Sequence, residues 1–205
     1  MHPSIAIHNP SHVHLHFGSL PPEELSLTDL PREYNPIRTT KATTSTPPAQ
    51  GEAWMGMGGY YLGTMPAIQG QPGYHLVISP ERANDITYGP RDHDVTGAAS
   101  QHDGKANTNA LLADNKVHPA AQWAAAVRTN GHADFYLPSR AELFLCWLCA
   151  PQFFEKSGYY WSSSQVSAHL AWIQGFEYGH SGWGIKGNEL RAVAVRQIPL
   201  SHFNT

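Results

Sequence analysis

Three histidines near the start of the chain alternate with apolar residues, a spacing that could place imidazoles for metal binding. The segment consists of His12, Val13, His14, Leu15, His16 and Phe17. A two-residue period predicts a β-strand with one apolar face, on which neighbouring imidazoles lie about 6–7 Å apart. A single strand cannot converge three ligands on one ion. A lone strand must pair with its own domain or with another chain, so we expect this strand to dock on a partner. The alternative is an oligomer in which these histidines of several chains surround one metal ion.

The two cysteines, Cys146 and Cys149, have the C-x-x-C spacing that occurs in redox pairs and zinc sites. Redox-active thiols lie at a helix N-terminus, where the helix dipole lowers the thiol pKa. Here the pair falls inside a predicted apolar helix, and two ligands alone do not make a closed zinc site. We therefore expect two buried core thiols and no metal site.

Neither the acidic loop residues nor the serine run predicts catalysis. Asp92, Asp94 and Asp103 could supply oxygen ligands to a cation, but we expect these loop acids to face solvent. The serines at 162–164 are not in the G-x-S-x-G setting of a hydrolase nucleophile. We expect no catalytic residues, no cofactor and no enzymatic activity.

Composition and charge exclude several function classes. The 205 residues are 41% hydrophobic and only 14% charged, with 18 glycines and 16 prolines, which favours a turn-rich globular fold. The formal net charge is −3 and basic residues are not clustered, so we expect no nucleic-acid binding. The sequence contains no run of about 18 apolar residues, so we expect no membrane-spanning helix. The N-terminal segment lacks the pattern of a signal peptide, which indicates folding in a cytoplasm.

The chain divides into an irregular N-terminal part and a globular part. Residues 1–52 contain prolines too frequent for regular structure, and residues 39–51 are typical of an extended linker. We interpret residues 1–52 as an arm and residues 53–205 as one domain.

Regular elements are predicted throughout the globular part. The first helix runs from Pro119 to about Arg128, and the second begins at Ser139, which forms a capping box with Glu142. Residues 80–117 are polar and are interpreted as a long irregular loop. Predicted strands cover residues 59–63, 74–79, 159–163, 171–176, 182–186 and 190–198. Two helices followed by an antiparallel sheet indicate an α+β fold.

Four motifs, in this order, resemble those of a known family. Residues 135–143 (FYLPSRAEL) resemble W-R-L-P-T-x-x-E-L, and residues 160–164 (YWSSS) resemble Y-W-S-S-[ST]. Residues 171–179 and 190–196 resemble the closing A-W … F … G … R-x-V-R. Over residues 54–199 the chain therefore resembles the DUF1566 or Lcl C-terminal-like group of C-type-lectin-fold domains. That group is related to formylglycine-generating-enzyme-type domains and to receptor-binding domains of phage tail proteins.

The resemblance implies a C-type-lectin-like α+β domain, with two helices and a twisted antiparallel sheet, behind the extended arm. It also implies a non-enzymatic bacteriophage tail protein, associated with the baseplate or a fibre. The arm would dock on other tail proteins, and the domain would bind a glycan or protein of the host surface. In the resembling receptor-binding domains, exposed residues of the late strands and loops make the contacts. The corresponding candidates are Gln165, Ser167, His169, Tyr178, His180, Trp183 and Lys186.

The same resemblance sets the expected location, assembly and alternatives. We expect a virion protein made in the bacterial cytoplasm, without membrane insertion, that forms a homo-oligomer (a trimer) in the tail. One alternative is a purely structural tail or baseplate protein for assembly or decoration, with no host ligand. The other is an oxidase of the formylglycine-generating type, which uses paired reactive cysteines and a copper site. Cys146 and Cys149 precede the late loops in which such a site is expected.

Overall fold

The structure is a computed structural model, and it describes residues 46–203. The strands are β1 Ala53–Trp54, β2 Gly59–Met65, β3 Tyr74–Thr87, β4 Tyr159–Gln165, β5 Leu170–Gly175, β6 Ser181–Ile185 and β7 Glu189–Pro199. The α-helices are α1 Gly104–Ala113, α2 Pro119–Ala126 and α3 Arg140–Cys149. Within residues 46–203, no helix is long and apolar enough to cross a membrane. The predicted docking strand at residues 12–17 lies outside the described residues.

All seven strands form one mixed sheet in the order β1-β2-β3-β7-β4-β5-β6. Neighbouring strands are antiparallel except β4 and β7, which run parallel where Tyr160 pairs with Arg191. The prediction of a C-type-lectin-like α+β domain with two helices and an antiparallel sheet is therefore wrong: the sheet is mixed, and three α-helices accompany it. The physical reason is that alternation and turn residues predict strands without specifying which strands become neighbours.

Strand β7 lies in the middle of the sheet, and its side chains alternate between two hydrophobic cores. Ala192 and Ala194 belong to the core beneath α1 and α2, whereas Val193 and Val195 belong to the core beneath α3. The first core is rich in small side chains, which let a helix lie close to the sheet. The residues that α1 and α2 contribute to it are Leu111, Ala120, Ala121 and Ala124. Both faces of the central strand are thus covered.

The predicted start of α3 is confirmed. Ser139 Oγ accepts a hydrogen bond from the backbone N–H of Glu142, and the Glu142 carboxylate accepts one from the backbone N–H of Ser139 at 2.7 Å. The same carboxylate accepts hydrogen bonds from the hydroxyls of Tyr136 at 2.5 Å and Tyr74 at 2.7 Å. This capping box is buried, so it fixes the first turn of α3 against the sheet.

The interpretation of residues 80–117 as one irregular loop is wrong, because β3 continues into this stretch and α1 lies within it. Asp103 caps α1 by accepting a hydrogen bond from the backbone N–H of Ala106 at 2.8 Å. Asn107 is buried in α1, and its amide donates to the backbone carbonyl of Ser100 at 2.7 Å. Hydrogen bonds to residues outside the helix thus stabilise a sequence of low helix propensity.

Candidate functional site

Two of the seven candidate contact residues, Gln165 and Lys186, are buried. Lys186 Nζ donates a hydrogen bond to Gln165 Oε1 at 2.5 Å and another to the backbone carbonyl of His93 at 2.7 Å. Gln165 Nε2 donates to the carboxylate of Asp94. Burial lowers the pKa of Lys186 to about 8. For these two residues the prediction of an exposed contact surface is wrong, because their polar groups pair with each other inside the protein.

Ser167 and His169 lie in the turn before β5. Ser167 Oγ accepts hydrogen bonds from the backbone N–H groups of His169 and Leu170, each at 3.2 Å. The His169 side chain is 61% exposed and contacts the carboxylate of Asp92. Ser167 therefore holds the turn in place, whereas the imidazole of His169 remains accessible to a ligand.

The other three candidates, Tyr178, His180 and Trp183, are exposed at one edge of the sheet. Tyr178 and His180 lie in the turn between β5 and β6, and Tyr178 is 83% exposed. Trp183 lies in the middle of β6 and is 62% exposed. Since β6 is the last strand of the sheet, Trp183 is an aromatic residue on an edge strand.

Trp183 lies beside a second tryptophan and an arginine. It pairs across the strands with Trp172 of β5, and the ring centroids are 6.2 Å apart in an edge-to-face arrangement. The guanidinium carbon of Arg140 lies 3.6 Å above the ring of Trp172, which is a cation–π contact. Arg140 also donates hydrogen bonds to Ser181 Oγ at 3.3 Å and to Gln101 Oε1 at 3.2 Å. These contacts hold the guanidinium in one orientation.

A cleft of about 300 Å³ adjoins this stack. Its lining residues are Gln101, His102, Arg140, Ala141, Phe144 and Ser181. They combine a positive charge, an amide, an imidazole and a hydroxyl with one aromatic ring. Small-molecule sites have this mixture, with volumes of about 300 Å³ and above. We call the surface formed by Arg140, Phe144, Trp172, Ser181 and Trp183 the aromatic face.

The start of helix α3 positions the aromatic face. The helix packs on β2, β4 and β5, and the capping box fixes its first turn. Glu142 points into the protein, whereas Arg140, Ala141 and Phe144 lie on the outward side and line the cleft. Arg140 therefore reaches Trp172 from a rigid element of the fold.

The two cysteines and the three loop acids do not form the redox, zinc or cation sites that their types and spacing could suggest. Cys146 is buried as predicted, and Cys149 is half-buried; both are free thiols. Burial raises the pKa of both thiols, which opposes the formation of a reactive thiolate. Asp92 and Asp94 are exposed, and Asp103 caps α1. In the part of the chain that the structure describes, these three acids form no group that could hold a metal ion.

Sequence reasoning misses Arg140 and the cleft residues Gln101 and His102. Arg140 belongs to the capping motif, which explains Ser139 and Glu142 but assigns no role to the residue between them. One indication was present in the sequence: a cation in the first turn of a helix opposes the helix dipole. The charge of an arginine at this position therefore does not stabilise the helix, and its contact with Trp172 lies outside the capping motif.

Comparisons with known proteins identify no family. No family model matches the sequence, and no curated protein matches it. The resemblance to the DUF1566 or Lcl C-terminal-like group therefore stays a prediction. The chain is similar to the crystal structure of a fimbrial protein from Bacteroides ovatus, with 16% sequence identity and a TM-score of 0.44. That match covers 59% of this chain and 35% of the fimbrial protein.

Proposed function

We propose that this chain is a non-enzymatic binding protein whose aromatic face binds a carbohydrate of a bacterial host surface. The observation that carries the proposal is the exposed ring of Trp183 beside the Arg140–Trp172 stack and the cleft. A flat indole ring packs against the apolar C–H face of a sugar ring. The neighbouring guanidinium, amide and hydroxyl groups bind the sugar's polar groups, which sets its orientation.

The exposure of Trp183 favours a binding role on energetic grounds. A tryptophan side chain offers about 150–250 Å² of surface for burial. With 62% of this residue exposed, the fold forgoes on the order of 3 kcal/mol of hydrophobic stabilisation. A ligand that covers the ring recovers part of that free energy on binding.

Arg140 is oriented before any ligand arrives. Its contacts with Trp172, Ser181 and Gln101 restrict the side chain, so binding costs less conformational entropy. A guanidinium carries five N–H donors, more than these contacts use. Its positive charge favours glycans that carry carboxylate groups, because charge-assisted hydrogen bonds are the stronger ones.

The location of the protein in a virion is a prediction supported by the sequence resemblance alone. It makes the chain a component of a bacteriophage tail, baseplate or fibre, assembled as a trimer. The strand at residues 12–17 would then dock on another tail protein, and this segment lies outside the described residues. The alternative is a structural or assembly protein, in which the aromatic face contacts another virion protein.

A glycan array probed with the full-length protein tests the carbohydrate proposal. We expect binding to bacterial surface polysaccharides, most strongly to those with carboxylate groups. Trp183→Ala should weaken binding by at least about 10-fold, equivalent to about 1.4 kcal/mol. Trp183→Phe keeps a flat ring and should retain part of the affinity. Val117→Ala is the matched control, because Val117 is 63% exposed on the loop between α1 and α2.

Two results would contradict the proposal. If the folded protein binds no bacterial surface glycan, the structural or assembly role is favoured. If binding survives both Trp183→Ala and Arg140→Ala, the ligand binds elsewhere on the molecule. Circular dichroism of each variant establishes that a loss of binding does not come from unfolding.

A further inference from the structure

Three side chains outside the aromatic face come together where the loop after β3 meets the junction of α1 and α2. Asp114 is the C-cap of α1, His118 is the N-cap of α2, and His93 lies in the loop. Asp114 Oδ2 lies 2.7 Å from His93 Nε2 and 2.9 Å from His118 Nε2. The three possible ligand atoms all lie within 4.8 Å of one another.

The ring of His118 is held so that its Nε2 atom points into this group. His118 is 1% exposed, and its ring packs edge-on against Tyr88 with centroids 6.3 Å apart. Gly89 leaves room for the ring, because a Cβ at that position would lie 2.4 Å from His118 Nδ1. Nδ1 is buried and has no hydrogen-bond partner among the described residues. Within residues 46–203, the polar contacts of this buried imidazole are therefore made through Nε2, toward Asp114.

We infer that His93, Asp114 and His118 form a binding site for a divalent transition-metal ion of the zinc class. Imidazole nitrogens and carboxylate oxygens bind zinc at about 2.0–2.2 Å, so ligand atoms on a tetrahedral ion lie about 3.3 Å apart. The two observed N–O distances of 2.7 and 2.9 Å therefore widen by about half an ångström when the ion enters. The two imidazole nitrogens, which lie within 4.8 Å of each other, must also settle about 3.3 Å apart, and the partly exposed side chain of His93 is the one with room to move.

The site has access to solvent and a suitable charge. The side chains of His93 and Asp114 are 25% and 16% exposed, so an ion can enter and a water molecule can complete the coordination. Lys186 donates a hydrogen bond to the backbone carbonyl of His93 and adds one positive charge nearby. The carboxylates of Asp94 and Asp114 interact electrostatically with Lys186. Their two negative charges offset the charge of Lys186 and part of the charge of the ion.

A bound ion would connect three segments of the chain: the loop after β3, the end of α1 and the start of α2. Its expected effect is stabilisation, because an ion that binds the folded state and not the unfolded one raises the unfolding temperature as its concentration increases. Hydrogen bonds alone give a similar arrangement, with both Nε2 atoms donating to Asp114. The two cases differ chemically, since metal binding requires Nε2 to be deprotonated.

The test uses the full chain with His12, His14 and His16 replaced by alanine, because these histidines could bind zinc independently. After metal removal with a chelator, calorimetric titration with Zn²⁺ should show one ion per chain. Added Zn²⁺ should also raise the unfolding temperature. Nitrogen NMR of the imidazole rings should show large shifts at Nε2 of His93 and His118.

Two variants and one control locate the site. Asp114→Asn keeps the shape and removes the charge, and His93→Ala removes a partly exposed ligand. Each should weaken Zn²⁺ binding by more than roughly 10-fold, the loss seen even for residues that only orient a ligand. His169→Ala is the control. His169 contacts Asp92 on the surface, and these two side chains alone do not make a metal site, so the substitution should leave the Zn²⁺ affinity unchanged.

Two results would overturn the inference: no binding of one ion per chain, or unchanged affinity in both Asp114→Asn and His93→Ala. If the variants do not fold without metal, the NMR measurement on the chain that keeps His93, Asp114 and His118 decides whether the site exists. Unshifted Nε2 signals in that chain contradict it. None of the three ligands belongs to the aromatic face, so the result is independent of carbohydrate binding.

Discussion

The two sides of helix α3 differ in how their polar groups are used. On the inward side, the buried carboxylate of Glu142 accepts hydrogen bonds from the hydroxyls of Tyr136 and Tyr74 and from the backbone N–H of Ser139. On the outward side, Arg140 covers a tryptophan ring and lines an open cleft. One helix turn thus joins a closed hydrogen-bond network to an exposed surface.

This difference shows how a rigid site is built at little cost to the fold. The first turn of α3 carries Arg140, whose charge is unfavourable there because it opposes the helix dipole. The buried network around Glu142 holds the turn in place despite that charge. The inward side therefore supplies the stability, and the outward side can carry the arginine and the open cleft.

The largest expected effect is on the inward side. Glu142→Ala leaves three donors around a buried position without their acceptor, so we expect the free energy of unfolding to fall by roughly 3 kcal/mol or more. Urea unfolding measures this loss. Glu142→Gln is the matched control, because glutamine keeps an acceptor in the capping box. A loss below about 1 kcal/mol in Glu142→Ala would show that the network does not hold the helix.

The next effect concerns pH. Burial raises the pKa of Glu142 above its ordinary value of 4.5. Below that pH the carboxyl group is protonated in the folded and unfolded protein alike. As the pH rises, the unfolded chain releases this proton first and then binds fewer protons than the folded one, so stability falls. Relative to Glu142→Gln, the original protein should be most stable near about pH 4 and should lose that advantage as the pH rises through the raised pKa.

Urea unfolding of both proteins, measured from about pH 4 to pH 8, checks this sign. The comparison with Glu142→Gln cancels the other groups that titrate in this range, including the histidines. A stability difference that grows in favour of the original protein as the pH rises would mean that the carboxylate is better stabilised inside the protein than in water.

The smallest effect is expected on the outward side. Trp183→Ala should lower the free energy of unfolding by less than about 2 kcal/mol, because the ring is 62% exposed and only the rest of it is buried, partly against Trp172. Thermal unfolding measures it, and Tyr178→Ala provides the matched control at an exposed aromatic residue of the adjacent turn. A loss as large as that of Glu142→Ala would make Trp183 a packing residue and remove the contrast between the two sides.

Local features of the fold could be predicted from the sequence. The capping box of α3 and the approximate positions of the last four strands follow from hydrogen-bonding residue types and from alternation. Helix α1 could not, because Asn107 is a poor helix former that is stabilised by contact with Ser100 and Ser163. The parallel pairing of β4 with β7 is likewise a property of the folded chain, and no local pattern encodes it.

Only part of the candidate site could be predicted from the sequence, for a similar reason. Tyr178 and Trp183 are exposed as expected, whereas Gln165 and Lys186 look like surface residues in the sequence and are buried as mutual partners. His93 is far from Asp114 along the chain, so their contact with His118 could be recognised only in three dimensions. Residues whose partners are distant in sequence are the ones that pattern analysis misplaces.

Strand β6 places a tightly packed position next to an exposed one. A Cβ at Gly184 would lie 3.1 Å from the ring of Trp161, so a side chain there requires this fully buried ring to shift by a few tenths of an ångström. The adjacent Trp183 points outward, and folding hardly limits which residue stands there. Mutations at position 184 therefore act on the packing of the fold, whereas mutations at position 183 act mainly on an exposed edge of the sheet. Under the proposed carbohydrate-binding role, single substitutions at this edge change the specificity without a large loss of stability.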